Sequence, residues 1–276
     1  MDALALIDDW PADHAAAGVA TAAEVVAVRG DVEHRFGWGS VTKPLVAYAT
    51  LIAAEEGALD LDEPAGPEGS TVRHLLAHAS GLAWDSPEPL GKPGERRVYS
   101  NSGYLVLAEH IAERAEMPFP DYLRAAVLEP LELGATLEGA AAGGIAGTLG
   151  DMLRFGREAL EPTLIAPETL AEAISVQFPG LDGVLPGFGR QTPNDWGLGF
   201  ELRNSKSPHW TGSLNSPRTH GHFGSKPGTA TFLWIDPAVG LVAAALADES
   251  FGDWARAAWP ALSDAVISEG SRAAAG

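Results

Sequence analysis

The sequence predicts an α+β fold, in which an antiparallel sheet built from both chain ends carries flanking helices and a mainly helical subdomain is inserted between those ends. Three observations lead there. Strand-length apolar runs gather near the start and again in the last third; the middle carries apolar residues at three-and-four spacing; and 276 residues suit one large domain or two small ones. The boundaries read as 1–60 with 161–276 for the sheet-bearing part and 61–160 for the helical part.

In chain order, residues 2–17 read as an amphipathic helix, and "AEVVAVRGDVEHRFGW" reads as a hairpin turning at Gly30-Asp31. A helix from about Val41 to Glu56 follows. It is apolar on nearly every face, as a helix buried all round must be, with Gly57 at the C′ position. "STVRHLLAHAS", "SGYLVLAEHIAERA" and "TLGDMLRFGREAL" are further helices, and "LEGAAAGGIAG" is a small-residue loop and turn. Beyond it the period shortens. "GLGFEL", "THGHFGSKPG", "TATFLWID" and "GLVAAALAD" are strands broken by Gly, Pro and Asp, and the chain closes in a helix that Pro260 is expected to interrupt.

Composition excludes several function classes. The 37 acidic against 18 basic residues give a formal charge of −19, which repels phosphate backbones and anionic membranes, so neither nucleic acid nor a membrane is an expected partner. With no cysteine there is no disulfide, zinc-thiolate site or thiol nucleophile. The start has no basic segment followed by an apolar one, and a cytoplasmic protein is expected. The oligomeric state stays open.

One residue is out of place. Lys43 stands in the first turn of the most apolar helix, where a charge is costly unless paired or neutralised. Ser40 lies three residues earlier, so the two Cβ atoms fall roughly 5–6 Å apart on one face and the amine reaches the hydroxyl. A neutral amine activates a serine nucleophile by taking its proton. Half-neutrality at pH 7 requires lowering a pKa of about 10.4 at a cost of about 4.6 kcal/mol, which burial can supply. The chain has four lysines and a single Ser-x-x-Lys.

Two more elements stand out. In "RRVYSNSGY", Tyr99 can pass a proton to a leaving group, or it simply packs while Ser100 or Asn101 caps the next helix. In "HGHFG", His220 and His222 share one face of a strand and Phe223 takes the other; one histidine lines a cleft, or it is a hydrogen-bonded bystander. His74 and His78 have metal-ligand spacing, but "HLLAH" lacks the glutamate of the zinc-protease motif and no third ligand presents itself. No metal or cofactor is expected.

Together, Ser-Val-Thr-Lys at 40–43, Tyr-Ser-Asn at 99–101 and His-Phe-Gly at 222–224 resemble the three signature motifs of the β-lactamase and penicillin-binding serine hydrolases. The Tyr-x-Asn form is similar to the class C β-lactamases, D,D-peptidases and related esterases, and the likeness covers most of residues 36–248. The resemblance implies a β-lactamase-like fold with the active site in the cleft between its two parts. It makes Ser40 the acylated nucleophile, with Lys43 and Tyr99 sharing the base and acid work and Asn101 orienting Lys43 and the substrate. His222, Phe223, Gly224 and Ser225 would edge the substrate, and the N–H groups of Ser40 and Ser225 would form the oxyanion hole.

Two departures bear on substrate. Phe223 stands where many members have Thr or Ser, and "VEHRFGWGSVTK" runs almost straight into the serine, so the wall on that side is either missing or built by Trp38. The expected activity is therefore a carboxylesterase-like cleavage of a small ester or amide through an acyl-serine. The alternatives are β-lactam or D-amino-acid peptide hydrolysis, or an inactive binding module.

Overall fold

The computed structural model describes residues 1–273. Apolar runs from both ends meet in one antiparallel sheet: β1 (Ala15–Ala20), β2 (Val25–Gly30), β8 (Glu201–Leu202), β9 (His220–Lys226), β10 (Thr229–Asp236) and β11 (Leu241–Ala247), in the order β2-β1-β11-β10-β9-β8. Alternation along the strands sends side chains to opposite faces. Leu233, Ile235, Val242 and Ala244 join one core, while Phe232, Trp234, Ala243 and Ala245 join a second. The first core lies under α1 (Thr42–Glu55) and α5 (Leu149–Glu158), the second under α7 (Asp253–Ala273). Three further helices, α2 (Val72–Leu76), α3 (Asn101–Arg114) and α4 (Phe119–Leu123), fill the middle of the chain with α6 (Pro167–Ala173) after them. A small sheet, β3 (Phe36–Gly37), β5 (Ile145–Gly147) and β4 (Thr136–Leu137), and a ribbon of β6 (Gly183–Leu185) and β7 (Gly189–Gln191) complete the fold. Among the described residues no helix is long and apolar enough to cross a membrane.

Several local expectations need correction. The helix expected over 2–17 is a single short one, Asp2–Asp9, followed by β1. Alanine favours helices in isolation, but the run Ala15–Ala20 is small enough to be buried between β2 and β11. A Cβ on Gly18 would lie 2.7 Å from Leu153 of α5, so this strand has to be slim. The hairpin turns at Thr21–Glu24, where Thr21 N–H donates to the Glu24 carbonyl at 2.9 Å, and not at Gly30-Asp31. β2 forms the outer edge, with Val25, Val26 and Val28 turned to solvent.

α1 and the Gly57 stop (φ 74°) match expectation. "STVRHLLAHAS" yields only the five residues of α2, because His78 takes φ 54° and accepts the Ser100 N–H on Nδ1 at 3.1 Å. α7 runs through Pro260 without a break. An interior proline costs about 3 kcal/mol, and the burial of Trp259, Leu262 and Val266 beside it offsets that.

Candidate active site

Ser40 sits in a tight turn, Gly39–Val41, just ahead of α1. Two glycines let β9 approach that turn. A Cβ on Gly224 would lie 2.1 Å from the Trp38 carbonyl, and one on Gly39 (φ 54°) would lie 3.1 Å from the Ser225 nitrogen. Thr231 Oγ1 locks the contact by donating to the Trp38 carbonyl at 2.8 Å. Ser225 is thereby brought beside the serine turn, and both Ser40 and Ser225 line one pocket of ≈ 340 Å³ with Trp84, Tyr99, Asn101, Trp196, His222, Phe223 and Phe251.

Lys43 is completely buried. Its Nζ lies 2.8 Å from Asn101 Oδ1, 2.7 Å from the Ala142 carbonyl and 3.1 Å from Ser40 Oγ. The first two partners can only accept, so two N–H bonds are committed to them. The third direction faces Ser40, whose hydroxyl can donate or accept. Burial lowers the Lys43 pKa to about 7, against the opposing pull of the Asp85 carboxylate. An amine near half-neutrality, with its free direction on a hydroxyl, can take that hydroxyl's proton.

Ser100 caps α3, its Oγ accepting from Gly103 N at 2.9 Å, and this leaves Tyr99 one residue outside the helix. The cap is Ser100, as one reading of "YSN" has it, and its neighbour Tyr99 lines the pocket. Tyr99 is enclosed by His78, Trp84, Trp196 and His222, and its ring lies 4.8 Å from Lys43 Nζ. Burial pushes its phenol up, and a hydrogen bond with Ser40 partly counters this. His222 places Nδ1 2.7 Å from the Phe223 carbonyl, so that nitrogen carries the proton and Nε2, 3.4 Å from the Tyr99 hydroxyl, accepts. Burial and the nearby Lys43 pull its pKa down to about 3, so the ring is neutral.

Phe223 points to the opposite face from His222, stacks on Phe251 and meets Trp259 edge-on while edging the pocket. His220 is buried against Phe200 and lies outside the pocket. Of the two readings of that wall, Trp38 is excluded: it is fully buried in the first core and does not line the pocket. His74 bonds Thr71 and stacks on Phe178, whereas His78 bonds Ser100, so the two histidines serve separate contacts.

The sequence reading missed three groups. The Ala142 carbonyl comes from "LEGAAAGGIAG", a tight connection in which a Cβ on Gly144 would strike Gly139 at 2.4 Å; the density of small residues was its signal. Asp85 accepts from Asn101 Nδ2 at 2.8 Å. Glu201, in the pocket floor, is a buried carboxylate paired with Lys206 and bonded by His209 and Trp210; burial opposes its charge, but His209 and Lys206 outweigh burial and hold its pKa well below the usual range.

A sheet of this order, with a serine, a buried lysine and a tyrosine gathered at its edge, defines the class of β-lactamase-like proteins. The Beta-lactamase family model matches residues 3–137 and 132–266, and the chain belongs to that family. It is similar to a crystal structure of a beta-lactamase from Mycobacterium bovis, with 52% identity, TM-score 0.94, and coverage of 97% of this chain and 99% of that one. Penicillin-binding protein 4* of Bacillus subtilis (strain 168) is 29% identical over 134 residues, 37% of this chain and 30% of that protein. The match therefore spans less than a third of that relative. The D-amino acid amidase of Ochrobactrum anthropi SV3, solved with D-phenylalanine, shares the fold at 18% identity, TM-score 0.77 and 98% coverage of both chains.

Proposed function

We propose that this protein is a serine hydrolase that cleaves a small carboxylic ester through an acyl-enzyme on Ser40. The observation that carries the reading is the bonding of Lys43: two obligate acceptors fix the amine and leave one direction for the serine hydroxyl. Lys43, with a pKa brought to about 7, acts as the base. Tyr99, held as a neutral phenol by burial, acts as the acid. Ser40 Oγ attacks the carbonyl as its proton passes to Lys43, and the oxyanion faces the Ser40 and Ser225 N–H groups. The leaving oxygen departs with a proton from Tyr99, which Lys43 replenishes. Water then attacks the acyl carbonyl, giving its proton to the amine, and Ser40 recovers a proton as the acid is released. The site lies between residues 61–160 and the two end segments, which form its walls in this reading.

Esters are favoured over β-lactams because positions 222 and 223 hold a neutral imidazole and a phenyl ring, neither of which supplies a charge or a hydroxyl for a β-lactam carboxylate and which leave that task to the Ser225 hydroxyl and the Arg256 guanidinium in the pocket lining. β-Lactam hydrolysis is the second reading, favoured by the 52% identity to a protein described as a beta-lactamase. Turnover of a short-chain nitrophenyl ester and of a chromogenic cephalosporin, each with Ser40→Ala as control, separates them. The expected outcome is ester turnover far above cephalosporin turnover, with both lost in Ser40→Ala. Faster cephalosporin turnover selects the second reading, and undiminished Ser40→Ala activity removes both.

A further inference from the structure

We propose that Asp85 is a positioning residue for the Ser40–Lys43 pair, holding the Asn101 amide in the one orientation that keeps the lysine's free direction on the serine. The inference rests on the functional reading above.

Asp85 lies in the connection between α2 and α3, and that connection is pegged to the start of α3. Asn101 and Ser102 N–H groups donate to the Trp84 carbonyl at 2.7 and 3.2 Å, and Ser100 Oγ donates to the Ala83 carbonyl at 2.6 Å. The carboxylate thus stands at a fixed place, 2.8 Å from Asn101 Nδ2. An ionised carboxylate only accepts hydrogen bonds, so the amide must turn its NH2 toward Asp85 and its oxygen toward Lys43, 2.8 Å away. A flipped amide would set oxygen against carboxylate and NH2 against amine, losing both bonds. With Asn101 Oδ1 and the Ala142 carbonyl both fixed as acceptors, the neutral amine points its lone pair at Ser40 Oγ.

Asp85 also bears on the charge of Lys43. The groups facing the amine are Tyr99 ahead of α3, Tyr104 within it, His78 after α2 and His222 on β9. Burial keeps the two phenols protonated and the two histidines neutral. Among the described residues this leaves Asp85 as the charge that favours the ammonium form, opposing burial.

The test measures the acylation rate with a nitrophenyl ester against pH for the wild type, Asp85→Ala, Asp85→Asn and Lys43→Ala. Asp85 is exposed, and circular dichroism checks that each variant is folded. In Asp85→Ala the plateau rate is expected to fall about tenfold, the scale of one hydrogen bond to a charged group. In Asp85→Asn the new side-chain oxygen still accepts from Asn101 and most of the plateau returns. In both variants the acid limb moves to lower pH, because the ammonium has lost its stabilising charge. Equal plateaus for wild type and Asp85→Ala, equal losses in Asp85→Ala and Asp85→Asn, or an unmoved limb in both would each overturn the proposal. Wild-type acylation in Lys43→Ala would instead overturn the functional reading on which it rests.

Discussion

Lys43 has three hydrogen-bond partners and no carboxylate among them, and burial therefore governs its charge state. Its pKa in the folded chain, about 7, marks the protonation that matters: below it the ammonium has no lone pair for Ser40, above it the amine does. Acylation should therefore rise with pH through about 7 and level off, as followed by the nitrophenol burst. Lys43→Ala should lower the plateau by at least about 10²-fold, the usual scale of a lost general base. Of these side chains, Ser40 and Lys43 were legible because helical spacing alone pairs them, and Tyr99 and Asn101 because a three-residue motif follows at a recognisable place. Asp85 was not, being one of 37 acidic residues with nothing local to set it apart, and its relevance arises only once the connection folds back on α3.

At the scale of elements, the site is a junction between a turn and a strand, and glycine makes the junction close. Gly224→Ala would put a methyl group 2.1 Å from the Trp38 carbonyl, and neither backbone can yield without moving Ser225 away from Ser40. The expected cost is about 1–3 kcal/mol of stability. In thermal unfolding the variant should melt earlier, and its kcat should fall while its circular dichroism stays native. The long elements were readable from periodicity: α1, α3, α5 and the three consecutive strands β9, β10 and β11 all fall where the apolar pattern puts them. β1 was not, because an alanine run has no period of its own and its partners decide its conformation. The unbroken passage of α7 through Pro260 has the same origin, since tertiary burial outweighs a local preference.

Over the whole molecule, the sheet separates two apolar layers, and the site touches both. Lys43 belongs to α1 on one side, while Phe223 and Phe251 rest on Trp259 of α7 on the other. Trp259→Ala should cost about 3–5 kcal/mol in urea unfolding, the usual range for a buried tryptophan. It should also raise KM for the ester by loosening the aromatic wall, and leave the acid limb of the pH profile where it is. The overall α+β plan was legible because strand-length runs sit at both ends; the meeting of distant segments at Ala142 was not, because a main-chain oxygen leaves no mark in a list of residue types. That oxygen sets a limit on how the site can be tuned. A library that exchanges side chains at every position never removes it, so its influence on the amine would emerge only from insertions or deletions that reshape the 138–144 connection.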